Sequence, residues 1–195
     1  MIGKSNLTRF MNVYGVGNLE ELHRKSIDDP EWFWNAVIAD LEIRFYSPYS
    51  KVLDTSAGMP WPRWCIGGRL NIIHNCIDKR AHDTRPAIKW EGEDASVREL
   101  TYAELAIEVN RAANGLRKLG VRKGDIAAIV MPMLPETAIA LFAIAKIGAI
   151  ILPLFSGYGS EAMATRLDDA GAVCVITCDG YRRRGRAIQL KNVVD

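Results

Sequence analysis

The chain has 195 residues, 25 Lys and Arg against 23 Asp and Glu for a net charge of +2, and is 49% hydrophobic and 25% charged. Disordered, collagenous and coiled-coil classes are excluded by that composition, and the near-neutral balance argues against bulk nucleic acid as the main partner, since backbone binding needs a wide basic surface. The length suits one domain, or one with an appendage, and a sizeable core.

The four cysteines, Cys65, Cys76, Cys174 and Cys178, are too few for a disulfide scaffold and form no C-x-x-C pair, so they read as reduced. The start, Met1 to Gly15, lacks the continuous apolar run of a secretory signal, and a cytoplasmic chain is the expectation.

Residues 1–83 read as a helical and irregular N-terminal extension. Leu7, Phe10, Met11 and Tyr14 recur at helical spacing, Asn18 with Glu21 resembles a cap, and Asp29-Pro30 starts a helix whose stripe is Trp32, Phe33, Ala36, Val37 and Leu41. Tyr46 to Gly68 reads as loop, with Trp61 and Trp64 pinning it to a neighbouring surface. Asn71 caps a short helix containing Ile73, Cys76 and Ile77. His74, Cys65, Cys76 and His82 give no zinc-ligand spacing.

Residues 84–195 change character. Ala87 to Trp90, Gly92-Glu93-Asp94 and Val97 to Leu100 predict strand, turn and strand, and Thr101 to Glu104 is a capping box opening a helix that ends at Gly120. Ile126 to Val130 is an unbroken apolar run of the kind buried on both sheet faces. Pro135 starts a helix through Ile144, Ile147 to Leu154 is a second buried strand, Ser160 caps a helix ended by Gly171, and Ala172 to Thr177 is a third strand. The alternation predicts an α/β fold, a partial three-layer sheet of parallel βαβαβ units with helices on both faces. The apolar stretch Ile126 to Phe155 is broken by Pro132, Pro135, Gly148 and Pro153, so it reads as three short segments rather than a membrane span.

No G-x-x-x-x-G-K-[ST], H-E-x-x-H or G-x-S-x-G occurs, the Gly15-Val16-Gly17 triplet follows no predicted strand, and no nucleophile and base pair stands out. The prominent feature is Cys178 to Arg186, where Arg182, Arg183, Arg184 and Arg186 place four arginines in five residues after the third parallel strand. Such a run is either a solvated basic loop or an anion clamp, in which guanidinium forks match phosphate oxygens at the sheet edge where ligands bind. A phosphorylated small molecule fits the clamp better than a nucleic acid, because no comparable basic stripe occurs elsewhere. Phe155 to Ser160 is a glycine-containing strand-to-helix turn at the same edge, whose amides suit an anion or a thin polar chain.

Gly67-Gly68-Arg69-Leu70-Asn71 through Cys76-Ile77-Asp78, Ile88 to Glu93, Leu100 to Leu105, Met131 to Glu136 and Phe155 to Tyr158, in this order, resemble the front part of AMP-forming acyl-CoA synthetases. The resemblance is to the acetyl- and propionyl-CoA synthetase branch of the acyl-adenylate-forming superfamily and runs from about Pro30 onward. It implies ATP-dependent activation of a carboxylate to an acyl-adenylate, with magnesium accompanying ATP, then transfer to coenzyme A. It further implies that Arg183, Arg184, Gly185 and Arg186 hold the phosphorylated nucleotide end of coenzyme A, and that Phe155, Ser156 and Gly157 line the route of its pantetheine arm. The family's Ser/Thr/Gly-rich phosphate loop, adenine and ribose contacts, acyl pocket and mobile-domain lysine lie further along than these motifs. No residue here is therefore carried over as catalytic, this chain is expected to take at most coenzyme A among those cofactors, and the chain looks like the opening portion of a synthetase, inactive alone. A stand-alone coenzyme A or nucleotide-binding module is the alternative. An incomplete sheet would also favour self-association or pairing with the rest of the domain.

Overall fold

A computed structural model describes residues 5–195, so the expectation of a leaderless start rests partly on residues 1–4, outside the described ones. The chain divides into two compact units, one ending at Leu70 and the other running from Asn71.

The first unit opens with α1 (Asn6–Val13), α2 (Leu19–Asp28) and α3 (Pro30–Asp40). Each starts where a short polar side chain satisfies an otherwise unpaired helix amide: Ser5 accepts from Thr8 N, Asn18 from Glu21 N and Asp29 from Trp32 N. Their apolar faces meet around Phe10, Val16, Leu22 and Ala36, with Trp32 and Phe33 packed against them. The expected loop at 46–68 contains an antiparallel pair instead, β1 (Lys51–Asp54) and β2 (Arg63–Ile66), in register Leu53 with Trp64. Trp64 meets Trp34 edge-on at 5.5 Å, as a pinning residue should, but Trp61 is 73% exposed in the connection between the strands. Pro60 and Pro62 flank it and Trp61 N donates to Gly58 O, a turn that directs the indole outward rather than onto a neighbour.

The second unit begins at α4 (Ile72–Cys76), followed by a 3₁₀ turn, Asp78–Arg80. Asn71 has two tasks: its Oδ1 accepts from Ile73 N at 2.9 Å, and its Nδ2 donates to the carbonyls of Ala145 and Lys146. The Lys146 ammonium pairs with Asp78 at 2.5 Å. The predicted strand, turn and strand form an antiparallel hairpin, β3 (Pro86–Glu91) and β4 (Val97–Thr101). Both halves of the Thr101 and Glu104 capping box are present at the head of α5 (Tyr102–Lys118), and Gly120 follows its end with a φ of +95°.

Strands β5 (Ile126–Val130), β6 (Ile150–Leu154) and β7 (Cys174–Thr177) form a parallel sheet in the order β6-β5-β7. The second strand starts at Ile150 rather than Ile147, because α6 (Pro135–Lys146) runs on to Lys146 and Gly148, at φ +76°, must turn the chain first. Alternation along the strands sorts the two faces. Ala127, Ile129, Ile151, Cys174 and Ile176 face a core shared with Ala113 and Leu116 of α5 and Ala140, Ala143 and Ile144 of α6. Val130, Leu152, Leu154 and Val175 face Met163 and Leu167 of α7 (Ser160–Ala170), with Leu190 beneath the final turn α8 (Lys191–Val194). Three layers result, with helices on both faces of an α/β sheet. Gly159, not Ser160, occupies the N-cap of α7, and no side chain caps that end, while Gly171 closes it in the left-handed conformation expected of a C-cap glycine. No helix among the described residues is long and apolar enough to cross a membrane.

Candidate functional site

Parallel strands β6 and β7 both deliver their carboxyl ends to one edge of the sheet, and each runs into one of the segments singled out in the sequence. After β7 the chain does not form an open loop. It builds a two-stranded hairpin, β8 (Tyr181–Arg183) and β9 (Arg186–Ile188), in register Arg183 with Arg186. Arg184 and Gly185 form the two-residue turn at φ +51° and +73°, positive at both central positions as the right-handed twist of a tight hairpin demands. At its base Gly180 lies against β9, where a methyl group would sit 2.5 Å from the carbonyl oxygen of Ile188.

The hairpin and the segment after β6 come together. Tyr181 Oη and Ser156 Oγ lie 3.3 Å apart, and the Arg183 guanidinium stands 5.9 Å over the Phe155 ring. That ring folds back onto Gly157, where an added methyl would meet it at 2.5 Å, so a side chain there would push the Phe155 ring aside. Phe155 is 55% exposed and stacks edge-on with Tyr158, which Arg166 covers at 4.5 Å. The edge thus presents an aromatic and glycine floor beside a cationic wall.

Arg182, Arg183, Arg184 and Arg186 are all exposed, and among the described residues no carboxylate lies within ion-pair distance of their guanidiniums. A surface holding four guanidiniums outside any ion pair is suited to a multiply charged anion such as a phosphate. The negative groups nearby belong to the β3–β4 turn. Asp94 accepts from the hydroxyl and amide of Ser96, which with Arg182 nearby hold its carboxyl below the usual range. Glu93 accepts from the backbone amides of Arg184 at 2.8 Å and Gly185 at 3.3 Å. Burial and then Asp179 push the Cys178 thiol up, so it stays protonated at neutral pH, and all four cysteines are free. No cluster of three or more His, Cys, Asp or Glu side chains that could hold a metal occurs among the described residues.

Glu93 and Tyr181 are absent from the residues picked out by sequence. Glu93 lies 91 residues before its partner Arg184, a separation that no local pattern reports. Tyr181 carries a readable signal, an apolar ring two positions before Arg183 on what proves to be one hairpin strand.

Two family descriptions divide the chain: residues 19–76 match the acetyl-coenzyme A synthetase N-terminus and residues 77–195 match the AMP-binding enzyme family. This chain belongs to the AMP-binding enzyme family. Within that family the similar proteins are acyl-CoA synthetases. A 3-hydroxypropionyl-coenzyme A synthetase of Sulfurisphaera tokodaii is 40% identical over all of this chain and 29% of its own length. An acetyl-coenzyme A synthetase of Streptomyces coelicolor is 50% identical over 70% of this chain and 21% of its own length. Among solved structures, acetoacetyl-CoA synthetase from Streptomyces lividans superposes with a TM-score of 0.89 at 30% identity, covering 99% of this chain and 31% of that one. The chain spans less than a third of the length of each of these relatives, and an AMP-binding family chain of this extent presents the sheet edge described above.

Proposed function

We infer that this chain is the front part of an AMP-forming acyl-CoA synthetase and supplies the coenzyme A side of its site. In this reading the whole enzyme activates a carboxylate with ATP and magnesium to an acyl-adenylate and passes the acyl group to coenzyme A, in the cytoplasm. Residues 84–195 belong to the adenylate-forming α/β domain and residues 1–83 to an extension. The guanidiniums of Arg183, Arg184 and Arg186 hold the phosphorylated nucleotide end, with Gly185 forming the turn that presents them. Phe155, Ser156 and Gly157 line the path of the pantetheine arm. The observation that carries the reading is the meeting of the two segments, with Arg183 over Phe155 at 5.9 Å, since a cationic group beside an exposed aromatic ring on a glycine turn matches a phosphorylated head on a thin thiol-bearing arm.

Calorimetric titration of the 195-residue chain with coenzyme A and with its 3′-dephospho form tests the reading. The expected result is tighter binding of the phosphorylated form, by about tenfold for one charge-assisted contact set, and loss of that preference in the Arg183→Ala, Arg186→Ala double variant. Equal affinity of the unaltered chain for both forms rejects the clamp. With ATP, magnesium, acetate and coenzyme A the chain alone is expected to release no AMP, and turnover by the pure chain would show that it carries catalytic groups of its own. The open strand edges of the three-stranded sheet further favour self-association or pairing with the rest of the domain.

A further inference from the structure

We propose that Glu93 is a positioning residue for the arginine hairpin: its carboxylate latches the Arg184-Gly185 turn and so fixes the direction in which Arg183 and Arg186 present their guanidiniums. The proposal rests on the coenzyme A reading of that hairpin and adds a residue that takes no part in the anion contact itself.

The geometry starts with the turn. Arg184 holds a φ of +51°, a left-handed conformation that a side-chain-bearing residue keeps only where its surroundings impose it. Both amides of the turn are directed onto one carboxylate, Arg184 N to Oε1 and Gly185 N to Oε2. Charge-assisted bonds of this kind are roughly twice as strong as neutral ones. An anion cradle of backbone amides at the tip of a cationic hairpin would ordinarily be available to a phosphate. Here the protein's own carboxylate occupies it, so the external anion is left to the guanidiniums, which extend from the neighbouring strand positions.

Glu93 delivers its carboxylate from a fixed base. The β3–β4 turn is closed by Gly92 N to Ser96 O and Ala95 N to Gly92 O, and within it Asp94 Oδ1 accepts from the amide and hydroxyl of Ser96. The hairpin behind it is tied to the head of α6 by Trp90 Nε1 to Met133 O at 2.7 Å and by a two-point Arg98 to Glu136 pair. One hairpin therefore grips the segment after β5 from Trp90 and Arg98, one residue pair below its tip, and the segment after β7 from the tip itself.

Three variants of the 195-residue chain test the latch: Glu93→Gln keeps one acceptor oxygen, Glu93→Asp is one methylene short, and Glu93→Ala removes both acceptors. Amide signals of Arg184 and Gly185 in a ¹⁵N-labelled chain report the bonds directly, and paired titrations with coenzyme A and 3′-dephospho-coenzyme A report the consequence. The expected result is upfield movement of both amide signals and about a tenfold fall in the preference for the 3′-phosphate in Glu93→Ala, with Glu93→Gln intermediate and the thermal midpoint of Glu93→Gln unchanged. Amide signals insensitive to all three variants would overturn the latch. Amides that move while the preference stays or rises would overturn the positioning role and identify the carboxylate as a competitor of the ligand. An unaltered chain with no preference would reject the coenzyme A reading itself, and the role of Glu93 in it, while the amide signals still decide whether the latch exists.

Discussion

Gly180 approaches the carbonyl of Ile188 so closely that its side-chain hydrogen is a structural requirement. Because the obstructing atom is backbone, Gly180→Ala is expected to spread the base of the arginine hairpin and cost about 1–3 kcal/mol, read as a lower urea midpoint at constant slope. Acid sensitivity is set by other single residues. Hydrogen bonds from the Arg85 side chain and backbone lower the Asp83 carboxyl from its ordinary 3.8 to about 2, and Arg63 and then Ser56 do the same for Asp54. A carboxyl lowered in the folded state contributes stability that is fully present above its unfolded pKa and is lost as pH falls through its folded one. Stability is therefore expected to decline between about pH 4 and pH 2, and Asp83→Asn with Asp54→Asn should flatten the decline in pH-dependent unfolding.

Among the elements, α5 shows how local chemistry places a boundary. The Thr101 hydroxyl accepts from Glu104 N while the Glu104 carboxylate accepts from Thr101 N at 2.8 Å, and Thr101→Ala should cost about 1 kcal/mol, measured by chemical denaturation. This helix and the three parallel strands were legible because each is specified within its own residues: a capping box and a terminal glycine in one case, unbroken apolar runs between turn signals in the other. The pair β1 and β2 was not, since each strand has four residues and the intervening Pro60, Trp61 and Pro62 read as loop. The arginine segment was legible as chemistry and illegible as shape. Its charge and its place after β7 can be read along the chain, whereas the hairpin depends on the backbone contact of Gly180 with Ile188 and on a carboxylate from β3–β4. Likewise the meeting of Phe155 with Arg183 joins segments separated by all of α7 and β7.

The division of the chain into two compact units has an optical consequence. Trp32, Trp34, Trp61 and Trp64 belong to the unit ending at Leu70 and only Trp90 to the other, so tryptophan emission follows the first unit while far-ultraviolet dichroism follows both. Thermal unfolding is expected to give different midpoints by the two probes, and coincident transitions would show one cooperative unit. The parallel sheet has a consequence of another kind. From the central strand β5 the chain leaves toward α6 on one face, and from its neighbour β6 it leaves toward α7 on the opposite face. The strand order therefore reverses at β5, with β6 laid down on one side of it and β7 on the other, and a reversal of this kind is where open α/β sheets receive ligands at the carboxyl edge. Under the coenzyme A reading, a slender ligand would lie between the segments that follow β6 and β7 on either side of β5, so its route would be a product of the order in which the strands were laid down, and substitutions at Phe155, Ser156 and Gly157 would tune its width rather than create it.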